Sequence, residues 1–140
     1  MLLHVVARGK IGRSPEADLV QRYENRLTWP FRLTELPESG GKVPYALTPS
    51  RRVLLDEKGR LLSSVELARL LGDWRDEGIR ETRFEIGAAD GHDMADREEA
   101  DLLLAFGKAT WPHLLARAML LEQLYRATSI LAGHPYHRGN

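Results

Sequence analysis

The end of the chain combines basic and aromatic side chains in a stretch without carboxylates. After Glu122 no acidic residue follows, and this stretch contains Arg126, Tyr136, His137 and Arg138. Cationic groups bind phosphates and aromatic rings stack on unpaired bases, so the combination is typical of an RNA contact. The alternative is a frayed basic terminus, which the proline and tyrosines of this stretch disfavour.

The residue types present exclude several other kinds of chemistry. The 140 residues include no cysteine, which excludes disulfide bonds, thiolate zinc sites and a cysteine nucleophile. His4, His92 and His113 do not have the spacing of metal ligands, so we assign them no ligand role and expect no metal site.

The net charge limits the class of partner. With 20 basic and 20 acidic residues the formal net charge is zero, which argues against a protein that holds naked duplex nucleic acid by its phosphates alone. Two local basic clusters are compatible with RNA contacts, although such clusters are usually solvated surface. They are the pair Arg51 and Arg52, and the group Arg8, Lys10 and Arg13.

Two loops are candidates for a ligand site because their backbone can approach a bound molecule. Residues 87–91 contain Gly87 and Gly91 between a predicted strand and a predicted helix, and glycine permits close approach. An ordinary strand-to-helix turn is the alternative, and the spacing of a dinucleotide-binding fingerprint is absent. Residues 107–112 form the second loop, in which Trp111 is either a core residue or part of a site.

The elements that position these loops alternate between strands and helices. Ser14 before Pro15 predicts one helix start, and the capping box of Ser63 and Glu66 predicts another. A polar helix follows the loop at 87–91, and the longest helix covers residues 113–131. Apolar or alternating runs predict strands at residues 2–7, 31–36, 52–55, 83–86 and 102–106. Residues 38–50 predict a loop, and residues 56–59 predict a turn.

This alternation predicts a single α/β domain over residues 1–140 with a mostly parallel sheet flanked by helices. Ligands in such sheets bind beyond the carboxyl ends of the strands, where the loops after Leu55, at 87–91 and at 107–112 fall. The helix at 113–131 is apolar on more than one face, which indicates a core helix, a subunit interface, or both. Neither a signal peptide nor a membrane span is predicted, so we expect a cytoplasmic protein.

The C-terminal part of the chain has a specific counterpart among known families. Residues 110–138, TWPHLLARAMLLEQLYRATSILAGHPYHR, closely resemble the C-terminal signature of the ribosomal large-subunit pseudouridine N3-methyltransferases, which belong to the SPOUT class. Residues 1–9 and the blocks VLLDEKG (53–59) and LSS (62–64) resemble earlier parts of the same family, so the resemblance covers most of the chain. It implies a SPOUT α/β knot, with a C-terminal trefoil knot around residues 107–138 that periodicity alone does not show.

The resemblance also implies a methyl donor, a substrate and an assembly. In the family S-adenosylmethionine binds in the knot, and the matching positions here are Leu55, Gly87, Gly107, Lys108, Ala109, Thr110, Trp111 and Pro112. The implied substrate is N3 of a pseudouridine in a stem-loop of 23S ribosomal RNA on the assembled ribosome. The implied assembly is a homodimer.

The tail is the part of this site that is expected to hold the substrate. We expect Arg126, Tyr136, His137 and Arg138 to hold the target base. N3 of that base carries a proton that must leave during methyl transfer. His137 is the best candidate to accept this proton, because imidazole titrates near neutral pH.

Two departures from the family pattern leave alternatives open. Gly87 is followed by Ala88 where the family has a second glycine, and the helix that family members carry before the strand at Val53 is missing from residues 38–50. The shortened segment motivates the alternative of a ribosome-binding SPOUT module with reduced or lost catalysis. Methylation of another RNA, such as a tRNA, is a third interpretation, which the intact tail disfavours.

Overall fold

Five strands form one sheet in residues 1–88 and 91–138, the part of the chain that this computed structural model describes. The strands are β1 (Leu2–Arg8), β2 (Phe31–Leu36), β3 (Ser50–Leu61), β4 (Glu81–Ile86) and β5 (Leu102–Ala105). Their order across the sheet is β2-β1-β4-β3-β5, and every pairing between neighbours is parallel. The predicted α/β architecture is therefore confirmed, while the trefoil knot stays a prediction of the resemblance.

Four helices and a short 3-10 turn connect and follow the strands in the described residues. They are α1 (Pro15–Arg26), α2 (Ser64–Asp76), α3 (Met94–Glu99), α4 (His113–Leu131) and the 3-10 turn Pro135–His137. The helix starts follow from local capping chemistry, as predicted. Ser14 Oγ accepts a hydrogen bond from the Ala17 amide at 3.1 Å, and both bonds of the capping box at Ser63 are present.

The turn predicted at residues 56–59 does not end the third strand, and that prediction is wrong. Leu55 and Arg60 both pair with Leu104, so the four residues between them bulge out of β3 and the strand resumes afterwards. The local turn chemistry is real, since the Lys58 amide donates to Asp56 at 2.9 Å. Pairing with β5 then continues the strand beyond it, which the local sequence does not indicate.

The two faces of the sheet differ in what covers them. One face carries the apolar side chains of the core, such as Val5, Val53 and Phe84, all fully buried. On it lie α1, α2 and α4, and α4 contributes the fully buried Leu121 and Leu124. The core interpretation of the 113–131 helix is therefore confirmed. No helix in the described part of the chain is long and apolar enough to cross a membrane.

The opposite face is polar near the beginning of the strands, where His4, Glu81 and Arg83 are buried. Residues 37–49, which connect β2 to β3 without helix or strand, lie over this face and contact it by hydrogen bonds. We call this segment the strap. Its irregular backbone confirms the loop predicted at 38–50, except that Ser50 already belongs to β3.

Candidate functional site

A cavity of about 620 Å³ opens at the carboxyl edge of the sheet, a size typical of small-molecule sites. Three stretches that are distant in the sequence form its walls. They are the bulge that follows Leu55, the loop that follows Ile86 together with Arg97 of α3, and the segment from β5 to the first turn of α4. The loops meet here because the carboxyl ends of parallel strands share one edge.

Six of the eight positions predicted to bind the cofactor line this cavity: Leu55, Gly87, Ala109, Thr110, Trp111 and Pro112. The other two do not. Gly107 lines an adjoining cavity of about 530 Å³, and Lys108 is exposed and lines neither. His92 and His113, to which the sequence assigned no role, also line the first cavity.

The contacts of Gly87 and Trp111 explain how these two residues fit at the cavity. A Cβ added at Gly87 would lie 3.0 Å from the carbonyl carbon of Gly91, so a larger residue would displace backbone of the loop. The Trp111 side chain donates from its indole nitrogen to the Phe106 carbonyl at 3.0 Å and is 42% exposed. Trp111 is therefore not a core residue, and that alternative is wrong.

An ion pair that the sequence did not reveal fixes the charged side of the cavity. Arg97 contacts Asp56 at 2.6 Å, and the Asp56 side chain is only 6% exposed. Burial by itself raises the pKa of Asp56, but hydrogen bonds from the Lys58 amide and Arg97 outweigh it and hold the pKa below its usual value. Asp56 therefore remains a carboxylate at neutral pH.

A fully buried guanidinium fastens the beginning of α4 to two other elements. Arg117 bonds Glu35 of β2 at 2.5 Å and the carbonyl of Gly9 at 3.1 Å, while Glu35 also accepts from the Ile11 amide at 2.8 Å. Burial acts to raise the pKa of Glu35, but the hydrogen bonds from Arg117 and Ile11 prevail and lower it. The sequence analysis did not select Arg117, although a single arginine within the apolar run 114–121 is a signal that could have identified it.

The tail folds back onto α4 around a carboxylate that the sequence analysis did not select. Glu122 accepts hydrogen bonds from the Tyr136 hydroxyl at 2.7 Å and from the Arg126 guanidinium at 2.9 and 3.1 Å. The Tyr136 ring packs edge-on against Tyr125 at 4.6 Å, and the Arg126 guanidinium lies 4.7 Å from the Tyr136 ring centre. The frayed-terminus alternative is wrong, because these contacts order the tail.

These contacts also assign proton positions. Burial, and then the hydrogen bond to Glu122, raise the pKa of Tyr136, so its phenol remains a donor. Arg126 bonds Nδ1 of His137 at 3.0 Å. Because a guanidinium only donates, Nδ1 accepts and the proton of the neutral ring lies on Nε2. This arrangement favours His137 as a hydrogen-bond donor over the proton acceptor expected from the sequence.

The structure thus brings Arg126, Tyr136 and His137 together, while Arg138 follows them in the chain and is exposed. None of the described tail residues 134–138 lines the cavity at the carboxyl edge. Ala116, the last residue of α4 that lines the cavity, lies six residues before Glu122 and ten before Arg126, about 9 and 15 Å along the helix axis. Cavity and tail are therefore separate within one chain.

The ion pair of Asp56 predicts a pH-dependent contribution to stability. Asp56→Asn should lower the free energy of unfolding at pH 7 by about 1.5–3 kcal/mol, the range for hydrogen bonds to charged groups. Because the folded pKa lies below the ordinary 3.8, this contribution is complete above that value and is lost as the pH falls through the folded pKa. Denaturant titrations from pH 7 down to acid pH measure the difference between variant and parent. As a control, exposed Glu98→Gln should change stability little, and a pH-independent difference for Asp56→Asn would contradict the assignment.

Comparison with known proteins gives this architecture a family. The family model described as "Predicted SPOUT methyltransferase" matches residues 1–137. Proteins named ribosomal RNA large subunit methyltransferase H are 73% identical in Erythrobacter litoralis and 71% identical in Novosphingobium aromaticivorans, each over 99% of both chains. The protein of that name from Paramagnetospirillum magneticum is 48% identical over 151 aligned positions, again 99% of both chains. The chain belongs to the SPOUT methyltransferase family.

Proposed function

We propose that this protein transfers a methyl group from S-adenosylmethionine to large-subunit ribosomal RNA, and that the acceptor is N3 of a pseudouridine on the assembled ribosome. The observation that carries the proposal is the cavity at the carboxyl edge, formed by the three loops that the family resemblance assigns to the methyl donor. Relatives that are 73% and 71% identical over their whole length carry the name of a large-subunit ribosomal RNA methyltransferase. Such a substrate implies a cytoplasmic protein.

The lining of the cavity fits S-adenosylmethionine by shape and by charge. Leu55, Ile86 and Phe106 provide apolar surface for an adenine ring. Among the described lining residues, the carboxylates Asp56 and Glu57 outnumber the single arginine, Arg97. This excess of negative charge suits a ligand whose sulfonium group is a cation.

When it is bound, S-adenosylmethionine supplies a methyl group that is already activated by the sulfonium, so the task of the chain is positioning. Arg126 and the Nε2–H of His137 are the donors that we assign to the carbonyl oxygens of the target base. Hydrogen bonds to those oxygens stabilise the negative charge that develops when N3 loses its proton. Glu122 orients these donors through its bonds to Arg126 and Tyr136, and solvent takes the proton.

Two substitutions at His137 distinguish a role as hydrogen-bond donor from a role as proton acceptor. Glutamine retains an N–H donor but has no titrating lone pair, whereas alanine has neither. We expect His137→Ala to lower kcat by about a hundredfold, the loss typical of one such donor. His137→Gln should retain much more activity, with the pH dependence of the parent enzyme. If glutamine proves as inactive as alanine, His137 accepts the proton instead.

The separation of cavity and tail supports the homodimer as the working unit. Reacting atoms must approach within about 3.5 Å, whereas Glu122, which binds the tail, lies about 9 Å along α4 from Ala116, the last residue of this helix that lines the cavity. The tail of a second copy supplies the missing groups. Apolar side chains exposed near the cavity and α4 provide an interface for that copy: Leu61, Val65 and Trp111, together with the partly exposed Leu114 and Met119.

Mixed dimers test the shared site. Ala109→Trp fills the cavity from an exposed position, and Arg126→Ala removes a tail donor, so each variant alone should be inactive. After co-expression, half of the dimers contain one chain of each variant. In such a dimer the cavity of the Arg126→Ala chain and the tail of the Ala109→Trp chain form one intact site. Transfer should therefore recover to about a quarter of the parent rate. A mixture that stays as inactive as its components would contradict the shared site.

Labelled methyl transfer tests the proposed reaction itself. Ribosomes from cells that lack this protein should accept label from S-adenosylmethionine in their large-subunit RNA, and nucleoside analysis should identify N3-methylpseudouridine. Label in tRNA would contradict the substrate. Ribosome binding without transfer would support the alternative of a ribosome-binding module.

The shortened segment before β3 does not favour that alternative. The two relatives at 73% and 71% identity align over 138 and 139 residues, so they share the short chain length and carry the name of a methyltransferase.

A further inference from the structure

We propose that the strap, residues 37–49, is a second RNA-docking surface, on which the ring of Tyr45 stacks against an unpaired nucleotide of the ribosomal substrate. The inference deepens the proposed function and rests on it, since it assumes that large-subunit RNA is the substrate. The strap lies on the face of the sheet opposite α1, α2 and α4, away from the catalytic tail.

The strap presents apolar side chains to solvent. Tyr45 is 93% exposed, and Val43 and Leu47 on either side are 43% and 42% exposed. These three belong to the seven large apolar residues that are exposed in the described part of the chain. The alternate positions 43, 45 and 47 point outward, with Tyr45 at the centre. Such a group marks a contact surface, because a large ring is usually well buried.

Buried charges hold the strap in place from below. Arg83, at 8% exposure, donates to the Pro44 carbonyl at 2.6 Å, and Glu81, at 1%, accepts from the Leu47 amide at 3.2 Å. These two bonds flank Tyr45. The ring is therefore carried on a fixed backbone, which lowers the entropy lost when a ligand binds.

The buried network serves the strap and not the chemistry of methyl transfer. Arg83 bonds Glu81 at 2.9 Å, and His4 bonds Glu81 at 3.2 Å and Thr34 at 2.8 Å. Burial, the largest effect, lowers the pKa of His4, so its ring is neutral at pH 7. Glu81 is the first residue of β4, at the end of the sheet opposite the cavity. The only polar groups of the strap that this network contacts are the backbone groups beside Tyr45.

Cationic side chains lie on the strap and at its two ends. Arg8 and Arg80 donate to strap carbonyls, at Pro37 and Thr48, and Arg32 lies beside His4 in the sheet register. Together with Lys42 of the strap, these residues make no ion pair within residues 1–88 and 91–138. Arg52, which is the partner of Arg83 in the register of β3 and β4, differs from them because it contacts three carboxylates. Glu38 is the one carboxylate among strap residues 37–49, so these four cations give the strap and its surroundings an excess of positive charge.

An exposed aromatic ring on a segment with an excess of cations is an arrangement that binds single-stranded nucleic acid. A second copy of the chain is a poorer occupant, because a symmetric interface would place these like charges against one another. The strap also begins beside the catalytic edge. A Cβ on Gly9 would lie 2.7 Å from Glu38 of the strap and 3.9 Å from His113, which lines the cavity. RNA that reaches the cavity can therefore continue along the strap.

Substitutions at Tyr45 test the stacking contact with intact ribosomes as substrate. Tyr45→Ala should raise KM for ribosomes at least about fivefold, because stacking on one base contributes about 1–3 kcal/mol. Its kcat and its affinity for S-adenosylmethionine should not change, since Tyr45 lies outside the cavity. Tyr45→Trp should retain the KM of the parent. Tyr45→Leu should raise KM as much as Tyr45→Ala does if the partner is a base. A leucine variant with the parent KM would instead indicate an apolar protein partner and overturn the proposal.

A charge substitution and a crosslink complete the test. Arg80→Gln should weaken the salt dependence of ribosome binding, whereas the matched control Arg51→Gln should not, because Arg51 already pairs with Glu77. A photoreactive side chain at position 45 should crosslink to 23S RNA, and a crosslink only to ribosomal protein would refute the inference. Failure of the parent protein to methylate ribosomes would concern the proposed function, whereas an unchanged KM of Tyr45→Ala would refute only the docking surface.

Discussion

All five strands of the sheet run parallel, and their common direction determines where a ligand site can form. It directs the carboxyl ends of the strands to one edge, so the bulge after Leu55, the loop after Ile86 and the segment before α4 meet there. None of these stretches forms a site by itself. Their meeting makes a cavity with apolar walls and an excess of carboxylates, which suits a cationic methyl donor.

Buried charged side chains hold in place segments that lie outside the apolar core. Arg117 joins α4 to the loop after β1 and to β2, next to the cavity, and Arg83 with Glu81 holds the strap on the other face. Removing one partner from such a pair leaves the other charge buried, which is costly. Apolar burial therefore determines the fold, whereas these ionic contacts determine which loops are rigid enough to bind a ligand.

Much of the fold follows from local sequence signals. Caps at Ser14 and Ser63 marked two helix starts, and apolar runs marked the strands whose loops form the cavity. The family resemblance, and not the periodicity, supplied the ligand and the substrate. What the sequence did not reveal depends on tertiary neighbours: the continuation of β3 beyond residues 56–59, the exposure of Trp111, and Glu122 as the anchor of the tail. No local pattern indicates that the Glu122 carboxylate accepts a hydrogen bond from the hydroxyl of Tyr136, fourteen residues later in the chain.

In the proposed dimer, the cavity at the carboxyl edge of one chain binds the methyl donor beside the tail of the other chain. A crystal structure with S-adenosylhomocysteine, the product form of the donor, tests this most directly. We expect a ligand in contact with Leu55, Gly87 and the segment 109–112, with Arg126 and His137 of a second copy facing its sulfur. A ligand bound elsewhere, or a tail from the same chain beside it, would refute the shared site.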